Sequence, residues 1–282
     1  MSNPTNNPLF KHFRQPILYT KLPSNGRWYP DGAIELTATG EIPIYAMTAK
    51  DEITMKTPDS LLNGTSTVAV ISSCCPAIKD PWKMPSVDLD TVLISIRIAT
   101  YGKEMDFTAA CPHCGTKNEH AIDLSYMLDN NELSPRWDEP ATYNGLLITL
   151  RPQRFEEFNK DNQLAYEEQR LMQMLNSDVL TEEQKAEQFK LMFDRLIDVG
   201  VKQISKSIAS ITLEDGVEVT NEDHIAEFLS NCDKKVWDIV KVQLDAIGRA
   251  GANREVKLTC TNEECSKEFS TPFVFEQASF FA

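Results

Sequence analysis

Apolar and polar residues alternate in four short segments, two near the middle of the chain and two near its end. The first two segments, 103–107 and 120–124, flank the sequence CPHCG, and the other two, 255–258 and 269–275, flank CTNEEC. A period of two is typical of β-strands that bury one face. We therefore predict two pairs of short strands, each joined by a turn that carries two cysteines.

The N-terminal third of the chain shows a similar alternation before it changes to a helical pattern. Segments 33–36 and 41–45 alternate on both sides of a turn that contains Gly40, which predicts a β-hairpin. Thr48 then provides an N-cap for a short helix, with Asp51 in its first turn.

Longer helices are predicted by apolar residues at helical spacing. Ser86 or Asp88 begins an apolar helix that ends at Gly102 and should be buried. Residues 153–250 repeat the helical period, and the capping box at 181–184 begins the longest helix of this region.

These patterns predict an α+β fold, in which a mixed body has a split, four-cysteine, zinc-ribbon-like knuckle pair and a mainly helical insert. Residues 1–22, rich in Asn and Pro, are expected to form a flexible N-terminal arm. Residues 23–151 are expected to form the α/β body with the first Cys knuckle, and 152–251 the helical insert with a small hairpin. Residues 252–282 then return to the body with the second knuckle.

Composition limits the classes of function. The chain has 282 residues, of which 41% are hydrophobic and 25% charged, as in ordinary globular proteins of one or two domains. No apolar run approaches the roughly 18 residues of a membrane span, and the N-terminus lacks the apolar stretch of a secretory signal. We expect a protein that folds in the cytoplasm. The net charge of −14 disfavours nucleic acid and favours a basic partner.

Four of the seven cysteines are candidate metal ligands. Two residues separate Cys111 from Cys114, and four separate Cys260 from Cys265. Two cysteine-bearing turns that face each other can hold one tetrahedral zinc ion through four thiolates, so we predict one structural zinc at these positions. The remaining cysteines lie in apolar stretches and are expected to be buried free thiols: Cys74, Cys75 and Cys232.

Other interpretations of the cysteines remain open. The sequence CPHC also occurs at the active sites of thiol oxidases, although that chemistry requires a cysteine at a helix start and a strand pattern follows here. A nucleic-acid-binding zinc ribbon would have basic surroundings, whereas Glu119, Asp123 and Glu264 flank these turns. The thiols could also be unligated. The nearest alternative ligands, His113 and His120, are left out of the predicted site.

Catalytic motifs are not evident in the sequence. It contains no Gly-rich phosphate loop, no G-x-S-x-G elbow and no H-E-x-x-H, and its four histidines are scattered. Asp51 and Glu52 are expected to be first-turn charges of a helix rather than catalytic carboxylates. We therefore expect a protein that is not an enzyme.

Three segments carry a resemblance to a known family: LPSNGRWYPDG, GEIPIYAMTAKDEITMKTPDSLLNG and CPHCG. Together they resemble the baseplate hub subunit and hub-assembly family of T-even-type contractile-tailed bacteriophages. The likeness covers mainly residues 20–130 and more loosely 252–282, and residues 48–64 are its most specific part.

The resemblance implies a structural component of a contractile-tail baseplate hub that contacts hub, tail tube or tape-measure proteins. Such a protein would be present in several copies in a symmetric assembly. It would be located in the tail baseplate of the virion, and in the host cytoplasm during assembly. The alternative is a transient chaperone of hub or tape-measure assembly that is not retained in the virion.

Overall fold

The computed structural model describes most of the chain, and the secondary structure follows the sequence patterns closely in the segments next to the cysteines. The described residues are 8–9, 12–56, 64–129, 135–175, 200–248, 255–273 and 280–281. The chain divides into two compact units. The first consists of 1–81, 88–131 and 252–282, and the second consists of 82–87 and 132–251.

Strands and helices alternate irregularly along the described chain. The strands are β1 (Leu18–Lys21), β2 (Glu41–Ile44), β3 (Glu104–Ala110), β4 (Lys117–Asp123), β5 (Ala141–Tyr143), β6 (Leu146–Leu150), β7 (Ile208–Thr212), β8 (Glu218–Val219), β9 (Glu255–Thr259) and β10 (Glu268–Pro272). The α-helices are α1 (Ala49–Met55), α2 (Thr65–Cys74), α3 (Ser86–Tyr101), α4 (Ser125–Asp129), α5 (Phe155–Leu175), α6 (Glu222–Asn231) and α7 (Lys234–Gly248). Together they confirm a mixed α and β fold.

The N-terminal part of the first unit differs from the sequence prediction. β2 pairs in antiparallel register with β1, whose residues 18–21 lie in the segment expected to be a flexible arm. The predicted hairpin of 33–36 with 41–45 is wrong, because Ile34 forms a bridge with Ile78 instead. Alternation identifies a strand but not its partner. Here Ile42 and Ile44 are fully buried, and β1 supplies the partner.

Helix α3 is largely buried, as its apolar pattern predicts. Its residues from Leu89 to Ile96 are mostly buried, and they include Val92 and Ile94. The α3 carboxylate of Asp88 is also buried. It accepts hydrogen bonds from Ser24 N at 2.9 Å and Ser24 Oγ at 2.6 Å, and Tyr29 OH donates to it at 3.0 Å. Burial nevertheless raises the pKa of Asp88 to about 6, since desolvation outweighs these hydrogen bonds.

The segment before α1 is fixed by a capping box and an arginine. Thr48 is the predicted N-cap of α1, and the Asp51 carboxylate completes a capping box by accepting from Thr48 N at 2.8 Å. Arg14 lies 3.6 Å from the same carboxylate. The guanidinium of Arg14 also donates to Ala46 O at 2.6 Å and to Ser73 O at 2.5 Å. This arginine therefore holds residues next to β1 against the start of α1 and the end of α2.

The C-terminal residues of the described chain return to the first unit. Phe280 and Phe281 are buried, and their carbonyl oxygens accept hydrogen bonds from two residues of α3. Arg97 Nε donates to Phe280 O at 2.9 Å, and Tyr101 OH donates to Phe281 O at 3.2 Å.

The second unit contains a four-stranded antiparallel sheet in the order β5-β6-β7-β8, together with α5, α6 and α7. β6 pairs with β7, so residues before the predicted start of the insert at 152 form part of this sheet. A largely buried ion pair joins Arg151 to Glu157, with Nη2 and Oε1 2.9 Å apart. The predicted capping box at 181–184 lies outside the described residues. Among the described residues, no helix is long and apolar enough to cross a membrane.

Candidate metal centre

Two antiparallel hairpins present the four predicted cysteines in their turns. β3 pairs with β4, and Cys111 N donates to Thr116 O at 2.9 Å where this ladder ends. The turn continues with Gly115, whose φ of 77° lies in the left-handed region that favours glycine. In the second hairpin β9 pairs with β10, and Cys260 N donates to Lys267 O at 3.0 Å. The alternating sequence patterns predicted all four of these strands.

The structure brings the four sulfur atoms into one cluster. Their Sγ atoms all lie within 4.8 Å of one another, although 145 residues separate the two pairs in the chain. The Sγ atoms of Cys111 and Cys265 are 3.9 Å apart, and those of Cys114 and Cys260 are 3.5 Å apart. A tetrahedral ion with metal–sulfur bonds of about 2.3 Å requires sulfurs about 3.8 Å apart. The cluster therefore has the dimensions of a four-cysteine metal site.

Exposure differs among the four side chains. Cys111 and Cys260 are buried, Cys265 is half-buried, and Cys114 is exposed. All four are free thiols rather than disulfide partners, and the cross-pair separations are much longer than the roughly 2.05 Å of an S–S bond. One side of the cluster is thus open to solvent, which would give a metal ion a path of entry.

Polar groups of the turns surround the sulfurs. Thr116 Oγ1 lies 3.3 Å from Cys114 Sγ, and hydrogen bonds from the hydroxyl and the backbone N–H of Thr116 lower the pKa of Cys114 to about 6. The backbone N–H of Asn262 donates to Cys260. Hydrogen bonds of this kind stabilise thiolates and orient them toward a cation.

The sulfurs also act on one another. Desolvation raises the pKa of Cys260 to about 12, and the neighbouring sulfurs of Cys114 and Cys111 add to the rise. Four thiolates at this spacing repel each other unless a cation lies between them. A bound metal ion reverses this effect, because its positive charge favours deprotonated sulfur.

Asn118 is a residue of the site that the sequence reasoning missed. Its side chain is fully buried, and its Oδ1 accepts from Thr261 N and Thr261 Oγ1, both at 2.7 Å. Its Nδ2 donates to Thr116 O at 2.8 Å. One amide group therefore connects the first Cys turn to the second. The available signal was a polar residue at an inward-facing position of β4, directly after the CPHCG turn.

The other candidate residues lie outside the cluster. His113 is exposed, and His120 belongs to β4, where its Nε2 is buried without a hydrogen-bond partner among the described residues. Cys74 and Cys75 are buried as expected, and burial raises the pKa of Cys74 to about 11, which is typical of an unreactive thiol. Cys232 is only half-buried, less than predicted.

The redox alternative lacks the helix that it requires. The CPHC turn leads into strand β4, so no helix dipole lies behind Cys111 to activate it. The arrangement instead resembles the two turns of a zinc ribbon, supplied by segments that are distant in the chain.

Fold and site together define the class of this protein: an α+β protein in which a four-cysteine site, able to hold a metal ion, joins a hairpin from the middle of the chain to one near its end. The family model described as T4 bacteriophage base plate protein matches residues 17–282, which include both Cys turns. The chain therefore belongs to the family of T4 bacteriophage base plate proteins. No curated protein and no solved structure matches it. Membership associates the chain with the phage tail and with other base plate proteins.

Proposed function

We propose that this chain is a structural component of the base plate hub, in contact with hub, tail tube or tape-measure proteins. The observation that carries the proposal is the family match, which extends from β1 to the last residue. The hub position is supported by the resemblance of residues 48–64, a range that begins at the N-cap of α1. The chain acts by binding neighbours rather than by catalysis.

The four cysteines bind one structural zinc ion in this proposal. A set of four sulfur ligands in tetrahedral spacing suits zinc or an iron–sulfur centre, and the separate Cys turns are typical of structural zinc. Four protein ligands leave no coordination position for a substrate. The ion therefore contributes folding energy, and it closes the long excursion of the chain between Cys114 and Cys260.

Mass spectrometry of purified virions tests the functional proposal. A hub component should be present at a fixed number of copies, in constant ratio to other base plate proteins across independent preparations. Its absence from complete virions, together with its presence in infected-cell extracts, would contradict retention and support the transient chaperone. Virions from a phage with a tagged copy of the chain provide a control for detection.

A further inference from the structure

The two hairpins of the metal centre form, together with residues of α4, a cavity that is partly open to solvent. It has a volume of about 510 Å³, which lies within the range of ligand-binding pockets. Residues 120–123 of β4 line one side, and residues 256–259 of β9 line the other. We call this cavity the strand slot.

The walls of the strand slot are strand edges. Side chains of a strand alternate between its two faces, so a cavity lying on one face would be lined by every second residue. Here four consecutive residues of each strand line the cavity. Within the described part of the chain, β4 pairs only with β3 and β9 pairs only with β10. Each strand therefore presents an unpaired edge to the cavity.

The ladder register shows which backbone groups of β4 point into the slot. Alternate residues of an antiparallel strand direct their N–H and C=O groups toward the partner strand. Since Cys111 N donates to Thr116 O, the even-numbered residues of β4 face β3. Ala121 and Asp123 consequently direct their backbone N–H and C=O groups away from β3 and toward the slot.

The same argument applies to β9. Cys260 N donates to Lys267 O, so Lys257 and Thr259 direct their backbone groups away from β10. The next outward group is Thr261 N, and it does point toward β4, since it donates to Asn118 Oδ1 at 2.7 Å. Asn118 thus closes the slot at the end near the cysteines, and beyond it the two edges have no such bridge among the described residues.

Charge and side chains indicate the character of an occupant. The apolar part of the lining includes Ile122, Met127 and Leu258, while Nε2 of His120 is a buried polar atom without a described partner. The two hairpins, residues 103–124 and 255–272, carry eight carboxylates and four lysines. A zinc ion with four thiolates would add two further negative charges at the closed end. A second copy of this acidic chain would be repelled, whereas a basic segment would be attracted.

We propose that the strand slot binds an extended, basic segment of a partner base plate protein, which inserts as a strand between β4 and β9. The inserted backbone would pair with Ala121 and Asp123 on one side and with Lys257 and Thr259 on the other, and would join the two hairpins into one five-stranded sheet. Apolar residues of the segment would contact Ile122 and its neighbours, and its cationic residues would lie near the carboxylates. The slot is a property of the folded chain and does not depend on the hub assignment.

Hydrogen exchange of the full-length, zinc-loaded protein tests this inference with a defined probe. The probe is an acetylated and amidated peptide of about eight residues that alternates lysine and valine, long enough to span the slot. With free peptide at about 100 times its Kd, exchange of the outward amides of β4 and β9 should slow by up to about a hundredfold. Amides at the outer edges of β3 and β10 should not change. No binding, or binding that leaves β4 and β9 unprotected, would overturn the proposal.

Two controls separate strand pairing from simple charge attraction. The same peptide N-methylated at its valines keeps its charge but loses backbone donors, so it should not bind. If it binds equally well, the proposal is wrong. Ala121→Pro removes an outward N–H without breaking the ladder and should abolish peptide protection. Thr108→Pro, at an equally exposed outward position on the far edge of β3, should leave it intact.

Other occupants give distinct results in the same experiment. Protection of β4 and β9 without peptide that increases with protein concentration would assign the slot to a second copy. Protection without peptide at every concentration would assign it to a segment of this chain. Either result would overturn the proposal of a basic partner segment.

Discussion

Replacing Asn118 by alanine tests how the two Cys turns are held together. The side chain is fully buried and makes three short hydrogen bonds: Oδ1 accepts from Thr261 N and Thr261 Oγ1 at 2.7 Å, and Nδ2 donates to Thr116 O at 2.8 Å. A net hydrogen bond contributes about 1 kcal/mol, so we expect a loss of about 3 kcal/mol in the free energy of unfolding. For a unit of roughly 150 residues this lowers the melting temperature by about 6–12 °C.

The assay combines calorimetry with the rate at which a chelator removes the metal. Asn118→Ala should unfold earlier and release its metal faster, because its side chain carries the hydrogen bonds that connect the first turn to Thr261. Thr108→Ala, an exposed substitution in the same hairpin, is the matched control and should change the free energy by less than about 0.5 kcal/mol. A loss in Asn118→Ala that is no larger than in this control, with unchanged metal release, would refute the reasoning.

Three further predictions concern other residues. The folded pKa of Asp88 is raised to about 6 from 3.8, so its contribution to stability should fall as pH rises from about 4 to about 6, by up to about 3 kcal/mol. Asp88→Asn should remove this dependence in urea unfolding, and equal pH profiles for both proteins would contradict it. Arg14→Ala should lower the free energy of unfolding in urea by about 1–2 kcal/mol, because the hydrogen bonds to Ser73 and Ala46 are lost. Arg14→Lys should lower it less, and a stability of Arg14→Ala equal to that of the natural protein would count against the contact. Cys260→Ser should lose the metal and at least about 3 kcal/mol of the free energy of unfolding in a thermal assay. Cys232→Ser is the control and should lose neither. An unchanged melting temperature in Cys260→Ser would argue against the site.

Local sequence patterns were sufficient to predict the strands and turns of the metal centre. β3, β4, β9 and β10 each alternate over a few residues and are joined by turns of defined chemistry, so sequence-adjacent partners could be inferred. The proximity of the two pairs followed from the donor set, since four thiolates satisfy one tetrahedral ion. The N-cap of α1 was equally local, since Thr48 directly precedes the helix, whereas the reciprocal bond from Asp51 was not predicted.

Pairings between distant segments could not be derived in this way. The alternation of 41–45 predicted β2, but nothing in the pattern indicates that β1, about twenty residues earlier, is its partner. The β6–β7 pairing in the second unit could not be derived either, since the whole of α5 and further residues separate the two strands in the chain. These pairings depend on which faces become buried together, and a single sequence does not specify that.

The contacts of single polar side chains could not be predicted from the sequence either. Asn118 could be placed on the inward face of β4, but its bonds to Thr261 depend on how the two hairpins meet. Asp88 was predicted as one of two alternative helix caps, and only the structure shows that it is buried and hydrogen-bonded to Ser24 and Tyr29. Such groups are fixed by the tertiary structure and in turn make it specific.

The zinc content of the purified protein tests the central claim most directly. Elemental analysis of protein prepared without added metal should give about one zinc per chain, and the Cys260→Ser variant should give almost none under the same conditions. A value below about half an equivalent in the natural protein, or an equal value in the variant, would contradict a zinc centre formed by Cys111, Cys114, Cys260 and Cys265.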